Sequence, residues 1–190
     1  MPSSDRIDAA PFYFDSFAIV GPRGKKDPLE RWRTEDVLAE MEHCGIDCAL
    51  VTHGLAREYD PTYGNRLLAE EIAKSERLFG CWVLLPHHVG EMAEPAELVR
   101  EMRRNGIVAG KVYPSTQKFL LDERTCGGLF DALEAERIPL LIEFTQTDQA
   151  TLSRLCESHP QLPVLLQGYR HGNERMLFPM LDAHENLHVE

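Results

Sequence analysis

Residues 48–85 read CALVTHGLAREYDPTYGNRLLAEEIAKSERLFGCWVLL. Two short apolar runs, Cys48–His53 and Leu78–Leu85, flank a longer stretch in which Leu68 and Ile72 stand four apart. Short apolar runs predict strands, and the four-residue recurrence predicts a helix over Asn65–Glu76. The same strand–helix unit continues on both sides. Toward the N-terminus, Phe12–Val20 predicts a first strand. Thr34–Gly45 predicts a helix with Thr34 as its cap, Glu35 and Asp36 at its positive end, and Leu38 and Met41 on one face. Toward the C-terminus come a helix over Pro95–Asn105, with Pro95 in its first turn and Gly106 past its end, and a strand over Ala109–Tyr113. A helix over Leu129–Arg137, a strand over Pro139–Phe144 and a helix over Thr147–Ser158 capped by Thr147 follow. A strand over Pro163–Gln167, a helix over Glu174–His184 that Pro179 should kink or delay, and a last strand beginning at Leu187–Glu190 complete the series.

The strands after the first begin at 48, 78, 109, 139, 163 and 187, at intervals of 30, 31, 30, 24 and 24. Such alternation predicts a parallel sheet with helices outside it, and the near-continuous apolar strands fit a sheet covered on both faces. Two architectures satisfy it. An open doubly wound sheet announces itself with a glycine-rich phosphate turn after the first strand. Here that turn, Gly21-Pro-Arg-Gly24-Lys25-Lys26, has neither the GxGxxG spacing nor the Ser/Thr of a phosphate loop, and reads as a flexible connection. The prediction is therefore α/β, of the (β/α)8 TIM-barrel type. A complete barrel takes about 250 residues, so residues 1–190 are read as a single barrel domain of about seven strands that lacks its C-terminal helix and strand.

Composition narrows the function. The chain is 43% hydrophobic and 27% charged, which excludes a disordered or collagen-like polymer. Against 20 basic residues stand 31 acidic ones, a net charge of −11. Nucleic acid and anionic membrane surfaces are poor partners for such a chain. No apolar run approaches the ~20 residues of a membrane span, and MPSSDRID offers no apolar signal core. Five cysteines, none in a Cys-x-x-Cys pair, fit a reduced, cytoplasmic protein.

Several segments resemble the amidohydrolase-related branch of the amidohydrolase superfamily, the metal-dependent TIM-barrel hydrolases and decarboxylases. PFYFDSFAIVG is similar to that family's opening strand, which runs into Asp-x-His-x-His. GIDCALVTH, GIVAGKVYPS, IPLLIEFTQ, LPVLLQGY and ENLHVE resemble its second, fourth, fifth, sixth and seventh strands. The resemblance implies hydrolysis or decarboxylation of a small molecule. It also implies a metal site whose histidine positions here hold Phe17, Ile19, Glu143 and Gln167. Phe and Ile offer a metal no lone pair, and a catalytic zinc wants three protein ligands, so the usual site reads as altered or absent.

In a barrel the chemistry sits at the C-terminal ends of the strands. Lys111 and Glu143 each interrupt an apolar strand there, where a buried charge is costly unless it is paired or used. With His53, whose imidazole titrates near neutrality, they are the candidate catalytic residues. Tyr113, Gln167, Tyr169, Arg170 and His171 are candidate substrate-binding residues, Arg170 as a bidentate carboxylate clamp. If a metal is bound, Asp15, Glu143 and Glu190 supply oxygen donors suited to a non-standard divalent ion; otherwise no cofactor is needed. His87 and His88 read as loop residues and Cys44 with Cys48 as packing. The reading is thus a hydrolase or decarboxylase for a small, carboxylate-bearing substrate, with a homo-oligomer as a possible assembly. A catalytically inactive barrel serving as a ligand-binding or scaffold protein is the alternative.

Overall fold

The computed structural model describes residues 11–23, 29 and 31–190. The predicted flexible loop at Gly21–Lys26 lies partly outside the described residues. Seven parallel strands form one sheet in chain order: β1 (Phe14–Val20), β2 (Cys48–His53), β3 (Leu78–Val83), β4 (Ile107–Val112), β5 (Leu140–Glu143), β6 (Val164–Gln167) and β7 (Leu187–Val189). Each strand thus pairs with the next one in sequence, without the reversal of order that a doubly wound sheet requires. The sheet is a curled portion of a TIM-type barrel, and among the described residues β1 and β7 each pair on one side only.

The helices are α1 (Thr34–Cys44), α2 (Gly54–Glu58), α3 (Pro61–Ile72), α4 (Pro95–Arg104), α5 (Pro114–Gln117), α6 (Glu123–Ala135), α7 (Gln149–Ser158) and α8 (Glu174–Ala183). Right-handed crossovers between consecutive parallel strands put the long helices on one face. There Met41, Leu68, Met102, Leu133, Leu155 and Met180 pack against Val20, Val51, Leu84, Val112, Ile142 and Leu166 in one buried cluster. The other face carries a smaller cluster of Leu50, Cys81, Ala109 and Leu141, with Phe17 and Leu165 packed on it. These are the inward residues of five neighbouring strands and of β1. Two residues further along each strand, on the same face by the period of two, come Thr52, Val83, Lys111, Glu143 and Gln167.

Several boundaries differ from the sequence reading. Arg33, not Thr34, occupies the α1 cap position; Thr34 is fully buried inside the helix and its hydroxyl donates to Glu71. The helix predicted over Asn65–Glu76 begins earlier, at Pro61, because Asp60 caps it by accepting from the Tyr63 amide at 2.7 Å. Asp122 likewise starts α6 six residues before Leu129, ahead of the glycine pair that obscured the helical period. Asp148 rather than Thr147 caps α7. His87–Val89 forms a single 3-10 turn, and α8 runs on through Pro179. Within the described residues no helix is long and apolar enough to cross a membrane.

Candidate functional site

The site grows from the inward layer above Cys81. β4 brings Lys111 to the C-terminal end of the sheet with its side chain 1% exposed. Its Nζ donates to Gln167 Oε1 at 2.7 Å and stands 3.4 Å from Glu143 Oε1. The Phe17 ring lies beneath it, with Nζ 3.3 Å from the ring centroid. The alignment of β4, β5 and β6 makes this meeting possible, since Lys111 is in register with Leu141 and Glu143 with Gln167. Burial lowers the Lys111 pKa below the ordinary ammonium value, and the Glu143 carboxylate opposes that shift.

Glu143 is shared. Its second oxygen, Oε2, lies 3.3 Å from a guanidinium nitrogen of Arg57, which projects from α2. Arg57 also lies over the Tyr113 ring, Cζ to centroid 4.8 Å. Gln167 is oriented by both ends of its amide, since its Nε2 donates to Glu190 while its oxygen accepts from Lys111. Two buried hydroxyls on this face of the sheet, Tyr113 Oη and Thr52 Oγ1, have no hydrogen-bond partner among the described residues. Burial pushes the Tyr113 phenol well above its ordinary value, so the hydroxyl is a donor at any working pH. Burial also pushes the Cys81 thiol, one layer below, up to about 12.

The structure thus brings together five of the residues picked from sequence: Lys111, Glu143, Gln167, Tyr113 and Glu190. Others lie elsewhere. His53 pairs in register with Val20, so its side chain leaves the sheet on the helix face, opposite to Thr52. Its Nδ1 accepts from the Leu55 amide at 3.2 Å and caps α2. Its ring fills the space under Gly21, whose φ is +76° and whose Cβ, if present, would stand 2.1 Å from His53 Nε2. Asp15 is displaced by a register shift between Asp15 and Ala18. Its carboxylate accepts from the Phe17 amide at 3.0 Å, and it lines a recess with the α1 residues Val37, Glu40 and Met41. Tyr169 packs against the helix-side core. Arg170 is exposed, and His171 points into solvent, paired with Glu174 at 2.8 Å.

Asp15, Glu143 and Glu190 therefore do not converge, and the donor set does not fit a divalent ion. Asp15 serves the bulge, Glu190 is taken by Gln167, and Glu143 already faces two cations. Sequence reading passed over two contributors. Arg57 was visible only as a basic residue after the second strand, and Phe17 only as an aromatic at a ligand position.

His53 leads to a stability prediction. Burial lowers its pKa below 6.5, with Glu71 opposing, so between the two values the unfolded chain binds more protons than the folded one. The contribution of neutral His53 is complete above pH 6.5 and is lost as the pH falls below it. His53→Asn keeps a capping acceptor but removes the titration. The melting temperature of wild type is expected to fall more than that of His53→Asn between pH 7.5 and pH 5.5, and parallel losses would remove His53 from the acid sensitivity.

No protein-family model matches the chain, and no curated protein matches it. Solved structures do match. A TIM-barrel protein from Bordetella bronchiseptica superposes with a TM-score of 0.63 at 16% identity, over 82% of this chain and 58% of its own. The 5-carboxyvanillate decarboxylase from Novosphingobium aromaticivorans, complexed with manganese and 4-hydroxy-3-methoxy-5-nitrobenzoic acid, gives a TM-score of 0.66 at 17% identity, over 95% of this chain and 74% of its own. An amidohydrolase 2 from Bifidobacterium longum subsp. infantis gives 0.62 at 14%, over 93% and 71%. Fold and strand order place the chain among the TIM barrels. It spans 58% of the length of the Bordetella protein.

Proposed function

We propose that the chain is an amidohydrolase-related enzyme of the hydrolase or decarboxylase type, acting on a small carboxylate-bearing molecule where β2, β4, β5 and β6 end. One observation carries this reading: two cations, Lys111 and Arg57, share the single carboxylate of Glu143, on a face with two buried hydroxyls that have no partner among the described residues. An anion with several acceptor oxygens would complete both the charge and the hydrogen bonds. Arg57, a third exposed, is the group such a substrate meets first and is assigned as its clamp. Lys111 and Glu143, 3.4 Å apart, are assigned as the acid–base pair, with burial lowering the Lys111 pKa toward the working range. Gln167 and Tyr113 hold the substrate's polar atoms. The likeness in fold to a decarboxylase that binds a benzoic acid agrees with this substrate class.

A second reading has its own support. Lys111 is closed from solvent and held on three sides by Gln167, Glu143 and Phe17, as a structural cation would be. On that reading the barrel binds a ligand without turning it over. The two are separated by incubating the chain with a panel of small aromatic and aliphatic carboxylates while CO2 release and hydrolysis are followed. Wild type is expected to turn one over, Lys111→Met to lose at least about 100-fold in kcat, and Arg57→Ala to raise KM about 10-fold or more. Undiminished turnover in both variants overturns the assignment. Saturable binding with no turnover in wild type establishes the inactive barrel.

A further inference from the structure

We infer that the Lys111 ammonium is itself the resident cation of the barrel mouth: the oxygen donors that would ligate a divalent ion converge on its Nζ instead, and the site works without a metal. This concerns the same mouth as the proposed activity, but it rests on the geometry alone and is read out without turnover.

The donors at this level are the Glu143 carboxylate, the Gln167 amide oxygen and, behind Gln167, the Glu190 carboxylate. Oxygen sets of this kind suit hard divalent cations. An ammonium presents three N–H donors and no acceptor. Here three partners surround it: the Gln167 oxygen at 2.7 Å, the Glu143 oxygen at 3.4 Å and the Phe17 ring, its centroid 3.3 Å away. A metal bonded to both the Glu143 and Gln167 oxygens would be within a few ångströms of Nζ, which stands 3.4 and 2.7 Å from them, and the two positive charges would repel. Phe17 decides between the two cations. Its ring face attracts an ammonium through the quadrupole but has no lone pair for a metal. Gln167 is held with its oxygen toward Lys111 because its amide nitrogen donates to Glu190. The cation is covalently tethered, so a chelator has nothing to remove.

The probe is MnCl2, titrated calorimetrically and by electron paramagnetic resonance into the full chain after dialysis against EDTA. Wild type is expected to take no Mn2+ at the mouth. Lys111→Ala, which leaves the oxygens and removes the ammonium, is expected to take about one equivalent, and Lys111→Ala/Glu143→Gln to lose it again. Should Lys111→Ala not fold, Phe17→His answers the same question, because it adds an imidazole ligand and keeps the ammonium. It is still expected to bind no Mn2+, while Phe17→His/Lys111→Ala gains it. Wild-type or Phe17→His binding that Glu143→Gln abolishes overturns the inference. So does a folded Lys111→Ala that binds none. Mn2+ uptake by wild type that Glu143→Gln leaves unchanged lies outside the mouth, for example at Asp131, Glu134 and His159, and agrees with the inference.

Discussion

Glu143→Ala is expected to destabilise the chain by about 3–5 kcal/mol, the usual loss when one partner of a buried ion pair is removed and the other is left behind. The loss falls on Lys111, which is 1% exposed and, among the described residues, would keep the neutral Gln167 oxygen and the Phe17 and Tyr113 rings but no counter-charge within ion-pair distance. Arg57 also loses a partner, but it is a third exposed and water can replace the carboxylate. Two further measurements assign the loss to the orphaned charge. Lys111→Met in the Glu143→Ala background should restore most of the stability, since an apolar side chain of similar length needs no counter-charge. The deficit should also shrink as the pH rises toward 10.5. The folded-state pKa of Lys111 is depressed, so the unfolded chain holds that proton more tightly and stability gains with pH in the window between the two values. Urea denaturation at several pH values checks both. A loss under about 1 kcal/mol would mean that Gln167 and Phe17 hold the ammonium unaided.

Gly64→Ala is expected to be about as damaging, near 3 kcal/mol, and for a steric reason. Gly64 lies in α3 where it crosses α2, and a Cβ there would stand 2.2 Å from the Ala56 backbone nitrogen. A flexible side chain could move aside; a backbone amide cannot without shifting α2. Asn65, next to Gly64, holds α3 to β3 through two hydrogen bonds to the Val83 backbone, at 2.8 and 2.9 Å, so α3 cannot retreat either. The displaced element is the one that carries Arg57. The substitution should therefore lower the urea midpoint and, by moving Arg57 from Glu143, weaken the binding of small carboxylates in what remains folded. Ala56→Gly should not rescue it, because the nearest clash is with the backbone nitrogen rather than with the Ala56 methyl. Full rescue would show that the methyl was the obstacle.

The strands were legible because each is a local apolar run. Cys48–His53 was read with its observed limits, and the other six lie within a few residues of theirs. Lys111 and Glu143 were legible for the same reason, as charges inside such runs. What was hidden depends on parity and on distant partners. Thr52 and His53 are adjacent, so one faces the mouth and the other the helices, and the alignment with β1 decides which. The bulge in β1 changes the parity of Asp15 relative to Phe17, and nothing in FDSFAIV marks it. Arg57 sits on a five-residue helix too short to show a period, and its partner Glu143 is 86 residues away.

The sequence by itself determined the alternation of strands and helices, the barrel class and the two charges that stand inside apolar strands. The alternation and the two charges are read from hydrophobic periodicity, a property of neighbouring residues, and the barrel class from that alternation together with a first turn that lacks the phosphate-loop glycines. The tertiary structure alone decided which polar residues meet. Strand register and a single bulge set which side chains share a face, and only with the strands side by side do Phe17, Gln167, Glu143 and Arg57 gather around Lys111 and Tyr113.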